Sequence, residues 1–337
     1  MASGRGYAFG PDVVAAPGAE KQIVLMALSG ISRSDDVDDC RAVGVEGVLV
    51  GEALMRAADP QAAIVALLDA PEAAAPPVVK VCGVTTADDA RAAVEANANL
   101  IGVIFAAKSK RRVSAEQARS IVGAVRAFGE RTDKVAVPLP SDDADAAARA
   151  AAPGAWFARS NAALRRACSR TPLVVGVFQD APVDEVVEVA KAVGLDCVQL
   201  HGAETPEDAA RVAAEAGVAV LRVVHVAPGA ADADLDAAVA GAARGGAAAV
   251  LFDTAVSGAA ASGGAGEVFD WGVVERLSDR LGVAGIVAGG LGPDNVGAAV
   301  AMKGGVFGVD AAGGTEAGPG IKDRAKVAAY VAGAVVG

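Results

Sequence analysis

A closed (β/α)8 barrel is the fold class this sequence predicts, and three observations carry that expectation. After residue 78 come eight short apolar, β-branched runs, each long enough for one strand. Longer Ala/Glu/Asp/Arg segments of helical period separate them, which is the alternation of parallel βα units. The span 78–337 is also close to the ~250 residues usual for such a barrel. The runs are apolar almost throughout, as expected of strands covered on both faces. An open doubly wound sheet would want a G-x-G-x-x-G directly after its first strand, and none follows there.

The strands are read at 78–82 (VVKVC), 100–105 (LIGVIF), 173–178 (LVVGVF), 196–200 (DCVQL), 218–224 (VAVLRVV), 248–253 (AAVLFD), 283–289 (VAGIVAG) and 305–310 (GVFGVD). Helices are expected at 86–97, 114–128, 183–193, 206–216, 271–281, 293–302 and 322–335. Ser114 with Gln117 has the spacing of a capping box, and Asp184 and Glu185 place negative charge in a first helical turn, where backbone N–H groups lack partners. Between the second helix and the third strand, about 129–170, lies an insertion containing PLPSDDADAAARAAAPG. Its Pro/Ala/Asp composition reads as a surface excursion, partly disordered at its tip.

The first 75 residues form a separate part. A strand at 23–31, a helix near 34–43, a strand at 47–51 and the start of another helix make two βα units, joined to the rest by the Pro/Ala linker 70–77. Two such units neither close a barrel nor bury both faces of their strands.

Composition narrows the function classes. The 337 residues carry a formal net charge of -11, which repels nucleic-acid backbones and anionic membrane surfaces. No apolar run approaches the ~20 residues that span a bilayer, and the opening MASGRGYAFGPDVV lacks the basic start and apolar core of a secretory signal. The four cysteines form no C-x-x-C pair or compact framework, so neither disulfides nor structural zinc are expected, and a reducing compartment fits. The expected location is cytoplasmic, or plastidic for a photosynthetic source.

Barrel chemistry sits at the C-terminal ends of the strands. The first strand ends in Cys82-Gly83 and the sixth in Phe252-Asp253-Thr254. Singly, a cysteine there is more often a small buried hydrophobe and an aspartate a solvated loop opener. Together in one mouth, they form a base and an acid flanking a small substrate. Two glycine-rich loops, Ala288-Gly289-Gly290-Leu291-Gly292 after strand seven and Asp310-Ala311-Ala312-Gly313-Gly314 after strand eight, stand where barrels bind phosphate through backbone N–H groups. The expected ligand is a monophosphorylated small molecule.

These blocks resemble a known family. Lys80-Val81-Cys82-Gly83-Val84-Thr85, Ile101-Gly102-Val103-Ile104-Phe105, Lys108-Ser109-Lys110-Arg111, Val198-Gln199-Leu200-His201-Gly202, Phe252-Asp253-Thr254, Gly263-Gly264-Ala265-Gly266 with Phe269-Asp270-Trp271, and Ala288-Gly289-Gly290-Leu291 look like phosphoribosylanthranilate isomerase over about 78–337. The resemblance implies an Amadori rearrangement with no cofactor or metal, Cys82 as general base and Asp253 as general acid. It also implies Arg111 facing the anthranilate carboxylate. His201 is a second candidate for the pocket wall, ranked below Arg111, and His225 is given no role. Substrate contacts are expected from Gly289, Gly290, Asp310, Ala312 and Gly313. One departure is Ala312-Gly313 where the family usually has two serines, which removes hydroxyl donors but not backbone ones.

Residues 20–70 in turn look like the last two βα units of indole-glycerol-phosphate synthase, with Leu28 where that family has a glutamate. No synthase activity is expected of this chain, and association with other tryptophan-pathway domains is. Two other readings stay open on the residues alone: part of a bifunctional synthase/isomerase, or a barrel reduced to a phosphate-binding module.

Overall fold

The computed structural model describes residues 76–137, 139, 145–169, 171–254, 271–302, 304 and 306–336, with 26–27, 31, 36–37, 40, 45 and 47–56 nearer the N-terminus. The expected strand at 23–25, Leu28, most of the helix at 34–43, linker residues 70–75, and the Gly263–Gly266 block with Phe269 and Asp270 lie outside the described residues. The chain divides into two compact units, Met1–Ala75 and Pro76–Gly337.

In the first unit, β1 (Met26–Ala27) pairs in parallel with β2 (Gly47–Val48), and α1 (Glu52–Arg56) follows. Ile31 and Val37 are buried there, with Ala27, Cys40, Val48, Val50 and Leu54 packed on them.

The second unit is an eight-stranded parallel barrel. Its strands are β3 (Val78–Val81), β4 (Leu100–Ile104), β5 (Leu173–Phe178), β6 (Cys197–Leu200), β7 (Ala219–Val226), β8 (Ala249–Thr254), β9 (Gly285–Val287) and β10 (Val306–Ala311). They close in the order β10-β3-β4-β5-β6-β7-β8-β9. The helices between them are α2 (Ala87–Glu95), α3 (Ala115–Phe128), α6 (Val183–Val193), α7 (Pro206–Ala216), α8 (Asp232–Arg244), α9 (Gly272–Leu281), α10 (Val296–Val300) and α11 (Arg324–Val336). The capping box at Ser114 forms as the spacing predicts: the serine hydroxyl accepts from Gln117 N–H, and the Gln117 side chain accepts from Ser114 N–H. A short hairpin of β11 (Glu316–Gly318) and β12 (Ile321–Lys322), absent from the sequence expectation, follows β10. No described helix is long and apolar enough to cross a membrane.

The apolar runs divide between two layers because strand side chains alternate faces. On β5, Val174 points out into the shell shared with the helices, while Leu173 and Val175 point into the barrel. Leu100, Cys197, Leu221, Ile286 and Phe307 join them to fill its lower interior.

The insertion corrects an expectation. Instead of a surface excursion, its described part folds into α4 (Ala146–Ala151) and α5 (Pro153–Cys168), and α5 buries Trp156, Phe157, Leu164 and Cys168. Trp156 Nε1 donates to Ala247 O at 2.7 Å and Asn161 Nδ2 to Ala284 O at 2.8 Å, while Arg165 donates to Pro76 O. Those acceptors stand just before β8, β9 and β3. Leu164 and Cys168 belong to the interior cluster. Thus α5 lies on the N-terminal rim of the barrel as a floor, opposite the mouth where the chemistry is expected. Leu164→Ala should therefore cost ~2–5 kcal/mol of stability through a cavity in that floor. Urea unfolding of the variant tests this; wild-type stability would contradict the floor role.

Candidate active site

Cavity residues come from the C-terminal ends of the strands. A cavity of about 390 Å³ opens there, and Cys82, Asp253, His201, Asp310 and the two glycine-rich loops line it. Gly289, Gly290, Ala312 and Gly313 all face this space. The structure thus brings together eight of the nine site residues expected from sequence, Arg111 being the exception.

Cys82 follows β3 directly, and its N–H donates to Ala311 O at 2.8 Å, continuing the β3–β10 ladder. Two residues earlier on the same inward face, Lys80 is fully enclosed, and its Nζ lies 2.8 Å from Asp310 Oδ2. Lys80 and Asp310 are register partners across the two strands. On the other side, a Cβ at Gly102 would stand 2.6 Å from the Cys82 sulfur, so this strand position stays bare to make room for the thiol. Burial raises the Cys82 thiol above its ordinary value, opposed by the Lys80 cation.

Asp253 is 6% exposed. Its Oδ1 accepts from Thr254 N–H at 2.8 Å, and its Oδ2 is 3.4 Å from His201 Nε2. Burial first, then the negative charge of Asp310, pushes its carboxyl up to about 6. Gly289, at φ +80°, packs so closely that a Cβ there would meet Thr254 Oγ1 and come within 3.2 Å of Asp253 Oδ1. The loop after β9 and the Asp253 carboxyl are therefore built against each other.

His201 deserves a higher rank than its sequence suggests. Burial, followed by repulsion from His225, Lys80 and Arg222, pushes its imidazole down to about 3, so the ring is neutral near pH 7. Gln199 Nε2 lies 3.1 Å from its Nδ1. In this amide orientation Nδ1 accepts, the ring proton sits on Nε2, and it points toward Asp253 Oδ2. A neutral donor so placed stabilises Asp253 once that residue has given up its proton. His225 stands edge-on to His201 at 5.2 Å between ring centroids, a contact with no sequence signal.

Arg111 is where the expectation needs adjusting. It is buried, and one edge of its guanidinium is occupied: Nε and Nη2 donate to Glu316 Oε1 and Oε2 at 2.7 and 2.8 Å. The edge of the guanidinium that could grip a carboxylate with two donors is filled by Glu316, which leaves Nη1 as the corner outside that pair. Glu316 also lies 3.4 Å from Lys322 Nζ. Among the described residues no group of three or more His, Cys, Asp or Glu side chains is arranged to hold a metal.

Comparison with known proteins adds a family. The model described as N-(5'-phosphoribosyl)anthranilate isomerase matches residues 130–333, and that described as indole-3-glycerol phosphate synthase matches 13–67. A tryptophan biosynthesis protein of Phytophthora nicotianae is 37% identical over 97% of this chain and 60% of its own length. An N-(5'-phosphoribosyl)anthranilate isomerase of Rubrobacter xylanophilus is 33% identical over 76% of this chain and 98% of its own. A crystal structure of such an isomerase with reduced 1-(o-carboxyphenylamino)-1-deoxyribulose 5-phosphate is 28% identical, covers 77% of this chain and 98% of its own, and superposes with a TM-score of 0.52. The chain spans 60% of the Phytophthora protein and about a quarter of the multifunctional fungal relatives it matches, 27% for that of Phanerodontia chrysosporium.

The raised Asp253 carboxyl has a measurable consequence for folding. A carboxyl at about 6 in the folded state and 3.8 when free favours folding at low pH, and that contribution is lost as pH rises toward 6. Asp253→Asn removes the buried ionisation, so at pH 8 it should stabilise the protein by up to ~3 kcal/mol, with no gain at pH 4. Urea unfolding at the two pH values measures this; equal effects at both would contradict it.

Proposed function

The chain belongs to the N-(5'-phosphoribosyl)anthranilate isomerase family, and we propose that its barrel performs that family's Amadori rearrangement with Cys82 as general base and Asp253 as general acid. One observation carries the assignment of residues: the thiol from the end of β3 and the carboxyl from the end of β8 line one cavity, with the glycine-rich loops after β9 and β10 beside them.

The phosphate of N-(5'-phosphoribosyl)anthranilate seats on those loops, contacted at Gly289, Gly290, Ala312 and Gly313. That end fixes the ribose between acid and base. Asp253 protonates the ring oxygen as the C1–O bond breaks, leaving a C1=N iminium whose positive nitrogen acidifies C2–H. The Cys82 thiolate takes that proton, and the resulting enolamine tautomerises to the ketone by gaining a proton at C1 while its C2 hydroxyl loses one. His201 Nε2–H stabilises the Asp253 carboxylate in the interval. Arg111 offers Nη1 to the anthranilate carboxylate, the other edge being held by Glu316.

Because burial raises both groups, the reactive combination is a thiolate facing a protonated carboxyl, a minority form between the two titrations. The rate should then hold a plateau above pH 6 and fall on either side: below, as thiolate is lost while Asp253 stays protonated, and at high pH, as Asp253 is ionised while Cys82 has already become thiolate.

The relatives that this chain only partly spans are longer, some of them named multifunctional tryptophan biosynthesis proteins. We assign the isomerase step to the second unit alone, and propose association with other domains of that pathway and a cytoplasmic setting. The segment matching the synthase family is given no turnover of its own.

Turnover of N-(5'-phosphoribosyl)anthranilate by the full chain is expected, with kcat/KM lowered ~10²–10⁴-fold in both Cys82→Ser and Asp253→Asn. Circular dichroism keeps loss of fold apart from loss of chemistry. Wild-type kcat/KM in either variant would overturn the roles, and a well-folded wild type that binds the substrate without converting it would leave only a phosphate-binding module.

A further inference from the structure

A thiol enclosed in a barrel is a poor thiolate, because burial favours its neutral form. Something must oppose that cost if Cys82 is to remove a proton. The charged groups around the sulfur show what does.

Lys80 lies on the same inward face as Cys82, two residues earlier, with no exposed surface. Side chains two apart on a strand share a face, so its ammonium enters the barrel on the side of the sulfur and its charge acts on Cys82. Asp310, its register partner, holds Nζ at 2.8 Å. From the far side come Lys322, whose Nζ donates to Ala312 O at 2.8 Å and to Thr315 Oγ1 at 3.0 Å, and Arg111, both paired with Glu316. Tyr330 from α11 also faces this cluster, fully buried and neutral. Around the sulfur, Lys80, Lys322 and Arg111 face Asp310 and Glu316, three positive charges against two. Asp253, on which Lys80 and Asp310 also act, adds a third negative charge when ionised, so the positive surplus exists while Asp253 is protonated, which is the form the proposed reaction uses.

We propose that Lys80 is a positioning residue for the Cys82 thiolate: a cation sealed beneath the sulfur, held in place by Asp310 so that its charge favours ionised sulfur. This rests on the assignment of Cys82 as the base. A lysine that only stitched the barrel seam would sit equally well under a sulfur that never ionises. A lysine that tunes the sulfur makes the two ends of its ion pair act in opposite directions. Removing the cation leaves Asp310 facing Cys82 and disfavours thiolate, whereas removing the anion leaves Lys80 unopposed and favours it.

The test is the pH dependence of Cys82 alkylation by iodoacetamide, followed by mass spectrometry of the peptide that contains Cys82, in the full chain without substrate. Lys80→Met should move the midpoint upward by about one unit or more, slowing alkylation about tenfold below the midpoint. Asp310→Asn should move it downward. If Lys80→Met does not fold, Asp310→Asn decides alone. A midpoint that is unchanged or raised in Asp310→Asn, or unchanged in a folded Lys80→Met, overturns the proposal. Wild-type kcat/KM in Cys82→Ser would instead overturn the base assignment, so the two failures are distinguishable.

Discussion

The ion pair between Lys80 and Asp310 sits at the seam where the first strand of the barrel meets the last. Everything in the mouth depends on that seam being in register. A slip of one residue in a strand turns every side chain to the other face. Cys82 would then point into the helix shell, and the β10 loop would carry its small residues away from the cavity. Both partners are buried, so an alternative register would leave an unpaired charge inside the barrel, which costs far more than a lost apolar contact. The apolar residues favour closure in general, and this pair selects one closure.

Once the register is set, the barrel interior separates by depth. Its lower layers are filled by Leu100, Leu173, Leu221, Ile286 and Phe307, and α5 covers the open end. Asp253, Cys82 and His201 stand in the top layer. Their surroundings combine low dielectric from below with solvent access from above, which is why Asp253 is raised and His201 is held neutral. One physical cause, burial, acts on Asp253, Cys82 and His201 alike. What distinguishes them is the neighbour each has: Asp310 acting on Asp253, Lys80 on Cys82, His225 beside His201.

Much of this was legible in the sequence because strands buried on both faces advertise themselves as apolar runs. Polar groups at strand ends interrupt those runs in a visible way, as Cys82-Gly83 and Asp253-Thr254 do. What stayed hidden depends on partners distant in the chain. A lysine inside VVKVC reads as an ordinary strand residue, since its carboxylate lies 230 positions away. Arg111 reads as free to meet substrate, since Glu316 is 205 positions away. The α5 floor was missed because its alanine-rich composition resembles a surface segment. Trp156 and Asn161 act by bonding carbonyls at Ala247 and Ala284, which no local period encodes.

The Arg111–Glu316 pair also bears on how the mouth recognises its ligand. Glu316 belongs to the hairpin after β10, and the same hairpin accepts at Gly320 O from Thr85 Oγ1 at 2.6 Å. Loops after β3, β4 and β10 are thereby joined into one rim on the Cys82 side. A guanidinium fixed along one edge has already lost most of its rotamer freedom, so a ligand meeting Nη1 bears less of that ordering cost. It also meets a single donor corner rather than a flexible fork, which favours an acceptor held at one position by the rest of its molecule. A planar aromatic carboxylate anchored by its phosphate at the opposite loops has that property, whereas a short aliphatic acid does not. If Arg111 meets the substrate as proposed, the rigidity supplied by Glu316 narrows the ligand class without Glu316 touching the ligand.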